Sequence, residues 1–450
     1  MLFILYKEKE PYTVMGTTRA VTHRKLKIAS SVPMPVWLHL AELLPNRDFI
    51  TRSEKRLVDL VRKHGCFSKA DLAVSTDYSR TKITNCIDSL LHKEIIITNK
   101  DTVYSGGRRS KTYSLNGKLG LVAGVDIGAT SIDLGVADFS GKLLTHHAEA
   151  ASIKDGPIKI LGRVCTLLEK SLLEKSLSSG KMKGIGIGVP GPVDFSVGAL
   201  VSPPIMPGWD SYPIIQTVQQ WFPSANVVVD NDVNVMALGE IDQGAGQGVD
   251  NLIFVKIGTG VGAGIICEGK IYRGFRGCAG DIGHISVDKS GPLCHCGNTG
   301  CLETVAAGPA IADRAFLAAQ AGKSPIIMRH YEENGRILRA EDVGAAAREG
   351  DASAIEVIRA SGRYIGDVLA SLVNFYDPQM IVIGGGVSNL GNLLLSSIRQ
   401  AVLQRSTPLA TRDLQIVFSQ TCADAGVLGA VSLAMEYMFS LTPPGSNQSQ

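Results

Sequence analysis

The sequence predicts an α/β protein with a winged helix-turn-helix segment at its N-terminal end and a body of two related α/β halves. Three observations support this fold class. Positive charge is concentrated in the first 120 residues, three helical patterns and a hairpin pattern follow one another over residues 51–104, and apolar strands ending in glycine turns recur from residue 121 onward. The predicted organisation is an extension of unknown role (1–50), the winged-helix domain (51–118), the body (119–440) and a disordered tail (441–450).

The composition is that of an ordinary globular chain. With 450 residues, 45% of them apolar and 19% charged, the chain can bury a sizeable core and is not a disordered protein. No run of 18 apolar residues occurs, which excludes a membrane-spanning helix. The apolar start, Met1–Tyr6, is too short for a signal-peptide core and is followed at once by charged residues, so we expect a cytoplasmic protein.

Charge is distributed unevenly along the chain. The first 120 residues hold 21 Lys and Arg against 11 Asp and Glu, a balance of +10, whereas the whole chain has a formal net charge of +3. A positive excess at one end is typical of a nucleic-acid-binding module joined to an acidic body. A solvated basic surface gives the same count, so the interpretation depends on the helix pattern as well.

The N-terminal segment has the pattern of three short helices followed by a hairpin. Thr51 and Glu54 have the spacing of a capping box, Ser68 and Asp71 open a second helix, and Ser79 can cap a third. We predict that the hairpin pairs residues 94–98 with residues 102–104 around a turn at 99–101. Three helices and a hairpin are the parts of a winged helix-turn-helix domain.

The third helix has the polarity of a DNA recognition helix. Ile83, Ile87, Leu90 and Leu91 form one apolar stripe, and polar or basic residues occupy the other side of its first turns. The stretch 106–111, which begins Gly-Gly-Arg-Arg and ends at Lys111, is flexible and cationic and suits phosphates or a minor groove. A small helical protein-interaction domain is the alternative. The residues predicted to contact double-stranded DNA are Ser79, Arg80, Thr81, Lys82, Thr84, Asn85, Arg108 and Arg109.

Three glycine-rich turns in the body follow apolar strands. A backbone without Cβ atoms can approach an anion and direct N–H groups at it, while threonine hydroxyls and an aspartate add donors and a Mg²⁺ ligand. For each turn alone, a tight turn without a ligand is the alternative. With ATP and Mg²⁺ as candidate cofactors, the predicted phosphate- and nucleotide-binding residues are Asp126, Gly128, Thr130, Gly258, Thr259, Gly260, Gly384, Gly385 and Gly386.

An acidic residue follows the predicted strand at 227–229. Asp232 stands at the end of this strand, before a helix that we expect to begin near Asn234. A carboxylate at a strand end is placed to take a proton from a hydroxyl that attacks a phosphoryl group, which makes Asp232 the candidate catalytic base. The alternative is that Asp232 only caps the helix.

One histidine and three cysteines have the spacing of a metal site. Nine cysteines in 450 residues are too few for a disulfide framework, and three of them fall within 294–301. One imidazole and three thiolates form a closed tetrahedral Zn²⁺ site of the structural kind. Reduced core cysteines are the alternative, but they explain a Cys-x-Cys pair on a polar loop poorly. The predicted ligands are His284, Cys294, Cys296 and Cys301.

Taken together, these motifs resemble the ROK family of repressors, open reading frames and kinases. The resemblance covers residues 53–435 and rests on segments 126–130, 188–192, 231–232, 258–260, 283–284 and 294–303. It implies a two-lobed, actin-like (RNase H-like) ATPase fold, a homodimer or higher homo-oligomer, structural Zn²⁺ on the four ligands above, and a hexose or amino-sugar pocket. The implied sugar contacts are Asn231, Asp232, Asp281, His284 and Glu303, with Asp232 as the base. Asp281 stands where the family commonly has Glu, so this carboxylate is one methylene shorter.

The basic winged helix places the chain beside the sugar-responsive repressors of this family. We therefore expect a DNA-binding regulator with a small-molecule sugar effector and no membrane partner. The alternative is an ATP-dependent hexose or amino-sugar kinase that carries the winged helix as an accessory. A third possibility is a repressor with a relict site that responds to a protein partner.

Overall fold

The computed structural model describes residues 50–103, 110–204 and 206–438, which belong to a single unit. The predicted extension (1–50), apart from residue 50, the predicted tail (441–450), and Arg108 and Arg109 of the cationic stretch lie outside the described residues. Within the described part, no helix is long and apolar enough to cross a membrane.

The described residues of the N-terminal segment, 51–103 and 110–115, form three helices and three strands. Thr51 and Glu54 form the predicted capping box of the first helix, and Ser68 forms another with Asp71 at the second. Ser79 caps the third helix by accepting a backbone N–H. The elements are α1 (Arg52–His64), β1 (Phe67–Ser68), α2 (Lys69–Ser75), α3 (Arg80–His92), β2 (Ile96–Val103) and β3 (Ser110–Leu115), with the strands antiparallel in the order β1-β3-β2.

The prediction of a hairpin turn at 99–101 is wrong. β2 is one continuous strand of eight residues, and its partner is β3. The register shifts in the middle of the pair, where the side chain of Asn99 donates to the hydroxyl of Thr112 and accepts from that of Ser114. These bonds hold Asn99 within the sheet, because an Asn side chain can satisfy polar groups at an irregular position. Ser110 and Lys111, which the sequence placed in a flexible stretch, belong to β3.

The body begins with a five-stranded mixed sheet. Its elements are β4 (Leu121–Ile127), β5 (Ser131–Asp138), β6 (Leu143–Ala150), α4 (Pro157–Glu174), β7 (Met182–Val189), β8 (Val193–Asp194), β9 (Ala199–Leu200), α5 (Ile214–Gln219) and β10 (Asn226–Asn231). The strand order is β10-β7-β4-β5-β6, and β8 pairs separately with β9. β10, β7 and β4 are parallel, whereas β4 and β5 form the predicted antiparallel hairpin around the first glycine turn. Every residue of β4 is buried, as expected of a strand covered on both faces.

A second five-stranded sheet follows, with a large helical layer on one face. The elements are α6 (Asp232–Gln243), β11 (Leu252–Ile257), β12 (Val261–Cys267), β13 (Lys270–Tyr272), α7 (Leu302–Ala306), α8 (Gly308–Gln320), α9 (Pro325–Glu333), α10 (Ala340–Arg348), α11 (Ala352–Tyr376), β14 (Met380–Gly384), α12 (Asn392–Arg405), α13 (Pro408–Thr411), β15 (Gln415–Phe418) and α14 (Ala425–Met438). The order is β13-β12-β11-β14-β15. β11 and β12 repeat the antiparallel hairpin around a glycine turn, which confirms the predicted similarity of the two halves.

Helices α6 and α14 lie between the two sheets. α14 packs on β4 and β7, α6 packs on β11 and β12, and the two helices pack against each other. A Cβ on Gly186 would lie 1.9 Å from the carbonyl oxygen of Ala430, and a Cβ on Gly429 would lie 1.7 Å from that of Val235. Any side chain at these positions would push the helices apart, so the glycines permit the close packing that joins the sheets.

The N-terminal segment packs against this helix pair. One connected set of buried apolar side chains includes Leu57 of α1, Leu238 of α6 and Met435 of α14. Beside it, Arg62 Nη1 lies 2.6 Å from Asp242 Oδ2, with only 8% and 9% of the two side chains exposed. An almost buried ion pair therefore joins α1 to the last turn of α6.

Candidate functional site

The carboxyl ends of the parallel strands in the first sheet bring predicted acidic residues together. In the strand register, Asp126 of β4 and Asp230 of β10 are both opposite Gly188 of β7. A Cβ on Gly188 would lie 3.4 Å both from Asp126 Oδ1 and from the Cα of Asp232. This edge of a parallel sheet is the common position of a ligand site. The structure thus gathers Asp126 and Asp232, which come from different motifs, into one cluster.

Asn231 and Asp232 form the start of α6. The side-chain oxygen of Asn231 accepts the backbone N–H groups of Val233 and Asn234, so Asn231 is the N-cap and the helix begins two residues before the predicted start. The alternative that Asp232 is the cap is therefore wrong. The amide of Asn231 donates to the carbonyl of Gly191 at 3.0 Å, which fixes its orientation.

Asp232 forms an ion pair with Lys256 of β11, a residue that the sequence analysis missed. Lys256 Nζ lies 2.5 Å from Asp232 Oδ2, and the side chains are 23% and 6% exposed. Burial alone would lower the pKa of Lys256, but the carboxylates of Asp232 and Asp126 outweigh burial and raise it. A charged residue in an otherwise apolar strand was the available signal. Its partner lies 24 residues away and could not be read from the sequence.

Asp126 is buried, and its Oδ1 has no hydrogen-bond partner among the described residues. Burial raises the pKa of Asp126 to about 7; Lys256 opposes this effect, whereas Asp232 and Asp133 add to it. A buried carboxylate oxygen without a partner is free to take a hydrogen bond from a bound molecule. Asp126 therefore offers an acceptor to a ligand beside Asp232.

The first two glycine turns use part of their own hydrogen-bonding capacity. The backbone N–H of Gly128 donates at 2.9 Å to the carbonyl of Ser131, and that of Gly258 donates at 2.9 Å to the carbonyl of Gly260. Two of the N–H groups predicted to bind phosphate thus close their own turns. The threonines of these turns, Thr130 and Thr259, are exposed.

The second and third glycine turns lie side by side at one edge of the second sheet. β11 and β14 are parallel, with Lys256 opposite Gly384. Gly385 has φ of +83°, a conformation that favours glycine, and a Cβ on it would lie 2.4 Å from the carbonyl oxygen of Ile257. Gly386 begins the short helical turn that follows. The structure therefore brings together two motifs that are more than a hundred residues apart in the chain.

Glu303 approaches the second glycine turn from α7. Its Oε2 accepts the backbone N–H of Val261 at 3.3 Å, and a Cβ on Gly260 would lie 2.3 Å from the same oxygen. The turn must lack a side chain at this position for the carboxylate to fit. Since Glu303 follows Cys301 by two residues, the cysteine loop and the glycine turn are neighbours.

The predicted metal ligands converge. The ligand atoms of His284, Cys294, Cys296 and Cys301 all lie within 4.8 Å of one another. Cys294 Sγ is 3.4 Å from His284 Nδ1, and Cys296 Sγ is 3.6 Å from Cys301 Sγ. A tetrahedral Zn²⁺ with bonds of about 2.1–2.3 Å separates its ligand atoms by roughly 3.6–3.8 Å. The donor set and its spacing therefore fit Zn²⁺.

The cysteine loop has backbone features that hold this arrangement. Gly300 has φ of +63°, and a Cβ on it would lie 1.5 Å from the carbonyl oxygen of Asp288. The backbone N–H of Asn298 donates a hydrogen bond that lowers the pKa of Cys296 to about 7, which favours the thiolate that a metal requires. Gly297 and Gly300, both with positive φ, thus serve the tight turns of this loop.

The second ring nitrogen of His284 faces Asp281. His284 Nε2 lies 3.9 Å from Asp281 Oδ1, whereas Nδ1 is the atom next to the cysteines. The Asp281 side chain is 58% exposed. The separation of Nε2 and Oδ1 is too long for a direct hydrogen bond between the imidazole and the carboxylate. Asp281 and Glu303 thus flank the predicted metal site.

A second ion pair supports the end of β10. Arg273 Nε donates to Asp230 Oδ2 at 2.8 Å, and Asn234 donates to Asp230 Oδ1 at 3.0 Å. The Arg273 guanidinium lies 3.8 Å from the ring centroid of Phe195. Sequence reasoning missed Arg273 because its partner lies 43 residues away. This network fixes the strand end from which the first residues of α6 project.

Comparisons with known proteins find relatives of two kinds. A glucokinase of Halalkalibacterium halodurans is 36% identical over 307 residues, which are 68% of this chain and 92% of that enzyme. The xylose repressor of Caldicellulosiruptor bescii is 30% identical over 376 residues, which are 83% of this chain and 92% of the repressor. The crystal structure of a ROK family transcriptional regulator, a homologue of the E. coli Mlc protein, matches with a TM-score of 0.72 and 28% identity, covering 86% of this chain and 96% of that one.

The resemblance found in the sequence is confirmed by a family model. The ROK family model matches residues 122–437. This range contains the glycine turns, the acidic start of α6, and the histidine and cysteines of the metal cluster. The chain belongs to the ROK family.

Proposed function

We propose that this chain is a sugar-responsive, DNA-binding transcriptional repressor whose body binds the effector. The observation that carries the proposal is the nearly buried Arg62–Asp242 ion pair. It joins α1 to the far end of α6, the helix whose first residue is Asp232. A shift of α6 on sugar binding would therefore act directly on the N-terminal segment. If the body were a kinase whose N-terminal segment had no functional connection to it, a buried ion pair between α1 and α6 would not be needed.

The extent of the two kinds of match supports the same conclusion. The match to the xylose repressor covers more of this chain than the match to the glucokinase. The repressor match includes 376 residues of this chain, more than the 329 that lie from residue 122 onward. Part of it must therefore precede residue 122, where α1, α2 and α3 lie. Similarity to a repressor thus extends into the segment that a sugar kinase does not need.

The N-terminal segment is proposed to be a winged helix-turn-helix domain that places α3 in a major groove. Of its apolar stripe, Ile83, Ile87 and Leu90 are buried, and Leu91 is half-buried against the same core. Thr84 is half-buried and accepts a hydrogen bond from Lys69 at 3.4 Å. The residues offered to base edges and phosphates are exposed: Ser79, Arg80, Thr81, Lys82 and Asn85.

The sugar pocket is proposed at the acidic start of α6 and the metal-bearing loop. Its residues are Asn231, Asp232, Asp281, His284 and Glu303, whose carboxylates and amide suit sugar hydroxyls. Zn²⁺ on His284, Cys294, Cys296 and Cys301 would cross-link the loop that carries Asp281 to the start of α7 with Glu303. We also propose a homodimer, since two copies of α3 would then meet two operator half-sites.

Fluorescence anisotropy with the promoter fragment upstream of the gene tests this function. We expect binding with a steep salt dependence and release by one member of a monosaccharide panel. Arg80→Ala should weaken binding by about 1–3 kcal/mol. Lys175→Ala, at the exposed position that directly follows α4 in the body, is the matched control and should bind as the wild type does. Equal binding by the wild type and Arg80→Ala, or a complex that no sugar releases, contradicts the proposal.

A second candidate function is ATP-dependent phosphorylation of a hexose or amino sugar. It is favoured by the cluster of Asp126 and Asp232 beside the glycine turns. In that reaction Asp232 would accept the proton of the attacking hydroxyl, and Asp126 would bind Mg²⁺. ADP release with a monosaccharide panel, compared between the wild type and Asp232→Asn, tests this reaction. Turnover that is absent, or equal in both proteins, excludes catalysis by Asp232.

A further inference from the structure

We infer that Lys256 is a built-in counter-ion that takes the place of a divalent cation between Asp126 and Asp232, so that this site binds its sugar without MgATP. The inference deepens the proposed effector function and rests on it for the nature of the ligand. The state of the two carboxylates themselves can be measured without sugar or DNA.

Lys256 brings a positive charge from one sheet to an acidic cluster that belongs to the other. It is the fifth residue of β11 in the second sheet, whereas Asp126 lies on β4 of the first sheet. Its ammonium is 2.5 Å from Asp232 Oδ2 and close enough to Asp126 for the two to affect each other's charge state. A single side chain thus neutralises part of a pair of buried carboxylates.

Both oxygens of Asp232 already accept a hydrogen bond. Oδ2 accepts from the Lys256 ammonium, and Oδ1 accepts from the backbone N–H of Val233 at 2.9 Å. An ammonium held against a carboxylate forms a short, charge-assisted bond. Each carboxylate oxygen keeps a second lone pair, so Asp232 can accept a further hydrogen bond from a sugar hydroxyl while Lys256 stays in place.

Asp126 keeps the cluster close to neutral. Its Oδ1 is unpartnered among the described residues, and burial raises its pKa to about 7, so the carboxyl is partly protonated at neutral pH. The charges of the Lys256 ammonium and the Asp232 carboxylate cancel. Because the Asp126 carboxyl is partly protonated, the three groups together carry little net charge. This state suits the hydroxyl groups of a neutral sugar better than a metal–triphosphate complex.

Mg²⁺ does not fit these residues as they stand. The ion demands oxygen ligands at about 2.0–2.1 Å in octahedral geometry. Lys256, which is bonded to Asp232 and acts electrostatically on Asp126, carries the same sign of charge as the ion and would repel it. The N–H groups of Gly128 and Gly258 that would have faced phosphate oxygens also donate within their own turns. The Lys256 ammonium disfavours Mg²⁺, and the internal hydrogen bonds of the two turns leave fewer N–H groups for phosphate. Each observation disfavours binding of the MgATP for which the family resemblance is a precedent.

Mn²⁺ binding, followed by electron paramagnetic resonance on Zn²⁺-saturated protein, is the test. We expect weak binding by the wild type and by Lys256→Arg, which keeps the positive charge. Lys256→Met has nearly the same volume without the charge, so it should bind Mn²⁺ at least about tenfold more tightly, a difference of about 1.4 kcal/mol. Adding Asp126→Asn to Lys256→Met should abolish this gain.

Several outcomes overturn the inference. One is a folded Lys256→Met variant with unchanged Mn²⁺ affinity, and another is a wild type whose tight Mn²⁺ binding is lost in Asp126→Asn. If Lys256→Met does not fold, a thermal-shift assay on the wild-type protein decides, with Mg²⁺ and a non-hydrolysable ATP analogue as the added ligand. A raised melting temperature refutes the inference, and an unchanged melting temperature supports it. None of these measurements uses sugar or DNA, so failure of the repressor function would appear separately, in the anisotropy experiment.

Discussion

Replacement of Arg62 by methionine tests whether α6 connects the proposed sugar pocket to the N-terminal segment. Methionine keeps most of the apolar volume of the arginine stem and removes the charge. The partner, Asp242, lies one residue before the end of α6 and is almost buried by α1. The substitution therefore leaves an unpaired carboxylate at the contact between the two parts of the protein.

The cost follows from the burial of the pair. Removing one partner of a buried ion pair costs roughly 3–5 kcal/mol, because the other charge stays desolvated. We expect the lower end, about 3 kcal/mol, because a carboxylate at the end of a helix can turn toward water. Asp242→Asn should cost less, since Glu436 also attracts Arg62 and would keep its guanidinium partly compensated. Arg62→Met with Asp242→Asn should recover part of the loss, because no charge is then left unpaired.

Urea unfolding measures the stability change, and anisotropy with promoter DNA measures the coupling. In the wild type we expect sugar to change DNA affinity by about 5–150-fold, the usual range of allosteric coupling. Arg62→Met should still bind DNA, since Arg62 lies outside the predicted DNA-contacting residues, but its affinity should no longer depend on sugar. A variant of wild-type stability with an intact sugar response would refute the role of this ion pair.

Three further predictions concern packing, pH and metal. Gly186→Ala should destabilise the protein severely, because its Cβ would lie 1.9 Å from a carbonyl oxygen of α14; Gly162→Ala, in α4 with nothing within 4 Å, should stabilise it by up to about 1 kcal/mol in urea unfolding. Because burial raises the pKa of Asp126 from 3.8 to about 7, the folded state keeps a proton that the unfolded state loses. The free energy of unfolding should therefore fall as pH rises from about 4 to about 7, by at most about 1.4 kcal/mol per pH unit. If the free energy of unfolding of Asp126→Asn depended on pH as steeply as that of the wild type, this prediction would be wrong. Chelation should release Zn²⁺ and lower the melting temperature of the wild type, whereas Cys301→Ser should contain less Zn²⁺ and respond less; equal metal content in the two proteins would exclude the site.

The features that the sequence predicted correctly are those whose partners are close in the chain. The capping boxes at Thr51 and Ser68 depend on a residue three positions away, and the cysteine loop lies within eight residues. The strand-turn-strand pairs around the glycine turns are likewise local. In each case, propensity and spacing contain the information that decides the structure.

The features that the sequence analysis missed depend on distant partners. In the sequence, Lys256 is a single charged residue in an apolar strand, and only the fold places Asp232 beside it. Arg62 is one basic residue of a basic segment, and its partner Asp242 lies 180 residues away in the chain. The wrong hairpin turn has a related cause. Asn99 is a good turn residue by propensity, but hydrogen bonds to the facing strand keep it in the sheet.

The position of α6 explains how binding alone, without phosphoryl transfer, could regulate DNA affinity. Asp232 begins the helix and Asp242 lies near its end, about 15 Å away along the axis. Between them, Glu240 accepts hydrogen bonds from Ser419 and Thr421 in the segment that leads into α14. The backbones of α6 and α14 approach closely at Gly429, where a Cβ would lie 1.7 Å from the carbonyl oxygen of Val235, so a displacement of α6 would act on α14. A sugar that changes the position of Asp232 relative to Lys256 would then move the helix pair and, through Arg62, the N-terminal segment.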